Sequence, residues 1–140
     1  MIVSTRSCEV LWKSIVSDAP RKEHKMDKPR NMRALSIRQP YAEQILRGTK
    51  KIEYRSMRTH IRERVYIYAS KTPGPAHVFA EMNARPGDFP VGVLVGTVEI
   101  VDCTGVAGDY QWHLDKPERL PELLKPDNHP QPSWFYPFKE

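Results

Sequence analysis

Proline is the residue that most limits what this chain can build. It has no amide proton and its ring crowds the preceding turn, so it ends helices and the inner strands of sheets. Thirteen prolines, with seven glycines beside them, are spread over 140 residues. That punctuation argues against a long helical bundle and for one loop-rich domain of short elements around a single core. No apolar run approaches the ~18 residues of a membrane span. Acidic Glu9 and the lack of a long apolar core argue against a secretory signal at the start. Cys8 and Cys103 are far apart, and neither has a cysteine or histidine at zinc-ligand spacing. Free thiols and a cytoplasmic setting are the expectation, with no cofactor.

Between the breaks, short periodic segments stand out. Residues 1–31 hold no sustained period and end in charge and proline (Pro20, Pro29), the pattern of a poorly ordered basic extension. Met26 and Met32 also offer alternative starts, and the sequence does not separate a basic arm from a mis-assigned start. The folded domain is expected at 32–140. Ala34 to Arg38 alternates apolar and polar residues and predicts a first strand. Pro40 at the first helical position and Gly48 at the exit bound a two-turn helix over 40–47, with Tyr41, Ala42, Ile45 and Leu46 on its apolar face. Val65 to Ser70 is the strongest strand, with Val65, Ile67 and Ala69 toward the core and Tyr66, Tyr68 and Ser70 on the opposite face. A short helix is expected over 76–84 and a long strand, bent at Gly92 and Gly96, over Val91 to Val101. Tyr110 to Leu114 predicts a further strand, Pro117 to Pro132 an irregular loop, and Trp134 to Phe138 an aromatic closing strand.

The net charge of +5 invites a nucleic-acid reading, but its distribution matters more than its sum. Residues 21–33 carry six Lys/Arg against two acids, and 34–140 carry fourteen against thirteen. The excess therefore sits on the extension, which could dock an acidic partner. Within the domain the signs segregate: 38–71 hold nine basic against three acidic residues, and 81–140 hold five against ten. Local potential attracts phosphate, so 38–71 is the informative half.

That basic half contains Gly48-Thr49-Lys50-Lys51-Ile52-Glu53-Tyr54-Arg55, a turn feeding a charged strand. The two-residue period puts Ile52 and Tyr54 on one face and Lys51, Glu53 and Arg55 on the other. Glu53 and Arg55 can pair laterally and still offer an acceptor and donors to a ligand. An exposed strand face with a surface ion pair worth ~0.5 kcal/mol is the plainer alternative. The loop 56–64 that follows carries Arg58, Arg62 and His60, and is either solvated or phosphate-facing. Tyr41, Tyr68 and Trp112 are core residues or base-stacking platforms.

Five blocks taken together resemble the ASCH domain family of the PUA-like superfamily. They are Ala34 to Tyr41 (ALSIRQPY), Gly48-x-Lys50-x-x-Glu53-x-Arg55, Ala69-Ser70-Lys71, Gly96-Thr97-Val98-Glu99 and Gln111-Trp112-His113-Leu114. The resemblance covers about residues 33–138 and implies an α+β fold. The expected form is a small PUA-like β-barrel of about five or six mostly antiparallel strands with two or more short flanking helices. It also implies a cleft beside the first helix that takes RNA or a modified nucleoside or nucleotide. Carried over by position, Lys50, Glu53 and Arg55 match the cleft motif, Ser70 and Lys71 its bordering strand end, and Gln39 and Tyr41 the block at the helix start. With Tyr68 these form the expected ligand-binding set. A bacterial branch of the family hydrolyses N4-acetylcytidine with a threonine where this chain has Glu53, and other relatives are described as ribonucleases on single strands. A hydrolase with Lys50 as base and Glu53 beside it is therefore the alternative to a binding module.

Overall fold

The computed structural model describes residues 32–139, so the expectations for 1–31, including nearly all of the basic stretch, lie outside the described residues. The elements run β1 (Ala34–Arg38), α1 (Tyr41–Arg47), β2 (Ile52–Arg55), β3 (Arg64–Ser70), α2 (Ala76–Glu81), β4 (Val93–Val106), β5 (Asp109–Leu124) and β6 (Trp134–Phe135). All six strands join one sheet in the order β2-β5-β4-β3-β1-β6. Strands β1 and β3 are parallel and the other neighbours antiparallel. The fold is α+β and barrel-like, with two short helices among the described residues.

Local sequence accounts for the first elements. In α1 the buried residues Ala42 and Ile45 face the core, and Gly48 ends the helix in the left-handed conformation at φ 82°. Pro40 is the N-cap residue rather than the first helical one. The Gln39 side chain supplies the cap: its Oε1 accepts the Glu43 amide at 3.0 Å, and its Nε2 donates to the Pro90 carbonyl at 2.9 Å. With Gln39 only 1% exposed, the residue is fully committed to holding the helix entry.

The main core packs Leu35 and Ile37 of β1, Val65, Ile67 and Ala69 of β3, and Val98 and Ile100 of β4 against Ala42 and Ile45. The opposite face of β3 is buried as well. Tyr66 and Tyr68 join a second cluster with Ala34, Leu94, Phe135 and Phe138. Phe138 meets Tyr66, and Phe135 meets Tyr68, edge to face with centroids 5.8 and 5.3 Å apart. A strand with neighbours on both edges and layers on both faces is buried along its length, here from Val65 to Ala69, and the chain-end aromatics are its lid.

The expected loop 117–132 is a correction. Strand β5 continues through Pro117 and Pro121 to Leu124. Among the described residues it has only β4 beside it beyond Leu114, and the pairing shifts register between Leu94/Gly96 and Thr97/Glu99. Proline is tolerated where a strand is an edge or bulged, because no ladder bond needs its missing proton. Strand β4 likewise outruns its expected end at Val101 by five residues, forming a hairpin that turns at Ala107-Gly108, with Gly108 at φ 85°. Helix α2 stops at Glu81 rather than at 84.

Among the described residues the backbone ladder does not close into a barrel. Strands β2 and β6 are the two ends of the sheet, and side chains span the gap between them. From β2, Arg55 Nη2 donates to the Ser36 carbonyl of β1 at 2.9 Å and Nη1 to Ser133 Oγ at 3.3 Å. Trp112 of β5 stacks on Trp134 of β6, centroids 5.8 Å apart and planes 11° from parallel. The seam is thus closed by a guanidinium and an indole pair.

Candidate functional site

At this seam lies a cleft of about 400 Å³, the size of a small-ligand pocket. Its walls come from β1 (Ser36, Arg38), the start of α1 (Tyr41), the turn and strand of the charged octapeptide (Lys50, Glu53, Tyr54, Arg55), the end of β3 (Ser70) and the segment before β6 (Pro132, Ser133). The Gly48 turn brings Lys50 back under the helix, its amide donating to the Gln44 carbonyl at 3.1 Å.

The charged face of β2 points inward. Glu53 is only 8% exposed while Tyr54, on the other face, is 59% exposed. Glu53 Oε2 accepts from Arg55 Nε at 2.8 Å, and Lys50 Nζ lies 3.6 Å from Oε1. The Lys50 ammonium sits 5.3 Å from the ring centres of both Tyr41 and Tyr54, and the Arg55 guanidinium 5.4 Å from Trp112. Three of the five Arg55 donors are therefore held by Glu53, Ser36 and Ser133, which makes Arg55 the residue that fixes the carboxylate. Lys50 has one ion-pair partner among the described residues and retains donors for a ligand. A carboxylate has about four acceptor positions, so Glu53 too retains acceptors.

Five of the eight expected site residues, Tyr41, Lys50, Glu53, Arg55 and Ser70, share this cleft. Tyr68, Ser70 and Lys71 line an adjoining cavity of about 350 Å³. Burial pushes the Tyr68 phenol above its ordinary pKa. Gln39 lines neither cavity and has its amide engaged in capping α1. Sequence reasoning missed Ser36 and Arg38, which the alternation of β1 places on the face opposite Leu35 and Ile37, and also Tyr54 and Ser133. No group of three or more His, Cys, Asp or Glu among the described residues could hold a metal ion. No described helix is long and apolar enough to cross a membrane.

Fold and cleft together define a small barrel-like domain that keeps a charged pocket beside α1, at the seam that side chains rather than a backbone ladder close. The ASCH domain model matches residues 35–136, and the chain belongs to that family. Activating signal cointegrator 1 of Homo sapiens is 38% identical over a stretch covering 49% of this chain and 14% of the relative. The Mus musculus protein of the same name matches to the same extent. The chain thus spans about a seventh of the length of these relatives.

Proposed function

We infer that the cleft binds RNA by seating a nucleobase of a nucleotide against Glu53. Glu53 accepts from the amino edge of the base, Lys50 donates to a carbonyl or phosphate oxygen, and the exposed ring of Tyr54 offers a stacking face. The observation that carries this reading is a carboxylate 8% exposed that nevertheless opens on a cleft of about 400 Å³. A buried charge is stable only when hydrogen-bonded, and its partners here hold it facing space of ligand size. The basic surroundings within 38–71 favour an anionic polymer.

Hydrolysis has less support in the geometry. The Thr49 hydroxyl, next to Lys50, donates to the Gln44 carbonyl at 3.2 Å and lies outside the cleft walls. The remaining proton-transfer group is Lys50, 3.6 Å from Glu53.

A fluorescence anisotropy titration with labelled single-stranded RNA tests the binding reading. Affinity should be saturable, fall with added salt, and drop about tenfold in Glu53→Gln. Unchanged affinity in that variant would sink it. Incubation with N4-acetylcytidine, and with end-labelled RNA in chelator, should give no product above a Lys50→Ala control; product above it would make the protein a hydrolase.

A further inference from the structure

The two adjoining cavities differ in chemistry but share Ser36, Ser70 and Pro132. The first is charged. The second is walled by Tyr68, His129 and Pro130 with Lys71 at its edge; the exposed imidazole and the half-buried proline ring are the surfaces on which a base can stack, and the buried Tyr68 lies beneath them. Tyr68 is 3% exposed, and its hydroxyl makes no hydrogen bond to any described residue. A buried polar group without a partner is unfavourable unless something in the cavity satisfies it.

The boundary between the cavities is where cations gather. In the parallel register of β1 and β3, Arg38 stands opposite Ser70, and Lys71 follows directly. Arg38 lines the first cavity, Lys71 the second, and Ser70 both. Both cations are exposed, and neither has an ion pair or side-chain hydrogen bond among the described residues. This contrasts with Lys50 and Arg55, which are tied to Glu53. The Lys71 stem is also laid down in place. A side chain at Gly92, whose φ is 75°, would meet Lys71 Cε at 3.3 Å and Cγ at 3.4 Å, so the stem runs against bare backbone. The Gly92 amide in turn donates to the Ala69 carbonyl at 2.6 Å.

The geometry points to a two-nucleotide site on single-stranded RNA, an inference that rests on the binding reading above. One base occupies the Glu53 cleft, the next stacks in the Tyr68–His129 cavity, and the phosphodiester joining them crosses Ser70 between Arg38 and Lys71. Two unpaired cations either side of a hydroxyl, at the division between two cavities of base size, match the one charge that a dinucleotide carries between its bases. The smallest tight ligand is then a dinucleotide, and a free nucleoside fills only half of the site.

Calorimetric titration of residues 1–140 tests this with defined probes: each of the four common ribonucleosides, its 3′-monophosphate, and its homodinucleoside monophosphate. For the base that the cleft prefers, the dinucleotide should bind at least about tenfold more tightly than the nucleoside, with the 3′-monophosphate between them. In Lys71→Glu the ratio of dinucleotide to nucleoside affinity should fall to about two or less. Should the dinucleotide bind no better than the 3′-monophosphate, the second base seat is wrong; a ratio unaltered in Lys71→Glu rules out the phosphate crossing. Either result leaves the first cleft standing. Failure of nucleoside and dinucleotide alike to bind removes the first cleft, and this inference with it.

Discussion

Two carboxylates in this domain are buried to nearly the same degree and each is held by two cations, yet they do different things. Glu43, 7% exposed, lies between α1 and β5; Arg119 contacts its two oxygens at 3.0 and 3.1 Å, and Arg47 at 2.8 Å. Glu53, 8% exposed, has one close guanidinium contact and an ammonium at 3.6 Å. Glu43 lines neither of the two cavities at the seam, while Glu53 lines the charged one. Burial pushes the Glu43 carboxyl up, but hydrogen bonds and charge from Arg119 and Arg47 outweigh it and hold it below its ordinary value. Saturation by bidentate contacts makes a strut, and incomplete saturation beside a cavity makes a site. Depth of burial and count of partners do not separate the two; the remaining acceptor capacity does.

The strongest way to break this contrast acts on the strut from below. Gly96 pairs with Arg119, and a methyl group there would collide with Leu46 of α1 and with the Glu118 carbonyl at 2.5 Å. Gly96→Ala should lower unfolding stability by about 3 kcal/mol by prising the helix from the sheet, read by urea denaturation. Removing the charge alone is milder. Glu43→Gln should cost about 2 kcal/mol at neutral pH while leaving RNA affinity intact. Because the folded carboxyl sits below its ordinary value, its contribution is present at neutral pH and is lost as pH falls from the ordinary carboxylate range through that lowered value. The stability curves of wild type and Glu43→Gln should therefore converge in acid; a constant gap between them would show that packing, not charge, holds the strut. The smallest effect sharpens the other side. Tyr54 is exposed and among the described residues its ring meets only the Lys50 ammonium, so Tyr54→Ala should change stability by less than about 0.5 kcal/mol yet weaken RNA binding about fivefold. Equal RNA affinity in Tyr54→Ala would remove the stacking role of that ring.

Much of this was legible in the chain. Strand β1, the helix stopped by Gly48, and the Val65–Ser70 strand followed from period and punctuation, because each is a local pattern. The grouping of Glu53 with Arg55 was also set by period. Which side of β2 faces inward was not, since Ile52 and Tyr54 carry as much apolar surface as a core face would; only the seam with β1 and β6, distant in sequence, decides it. The continuation of β5 through Pro117 and Pro121 was hidden for a similar reason. Proline forbids a central strand but not an edge, and edges are a property of the assembled sheet. Gln39 could be placed at the helix start by resemblance, but its role as a cap depends on the carbonyl of Pro90, far along the chain.

The guanidinium that spans the open side of the sheet has a mechanical consequence. Where backbone ladders join strands, widening the wall means breaking a row of cooperative bonds. Across the seam the join is made by side chains, Arg55 to Ser36 and Ser133 and Trp112 on Trp134. The strap before β6 is tied to β1 by the Ser36 amide donating to the Ser133 carbonyl at 2.8 Å and the Ser36 hydroxyl to the Gln131 carbonyl at 2.7 Å. The pocket therefore has one rim fixed to β1 by hydrogen bonds and another, on β2, that is joined across the seam by side chains, so loss of the Arg55 side chain loosens the β2 rim while the ladders of the sheet stay in place.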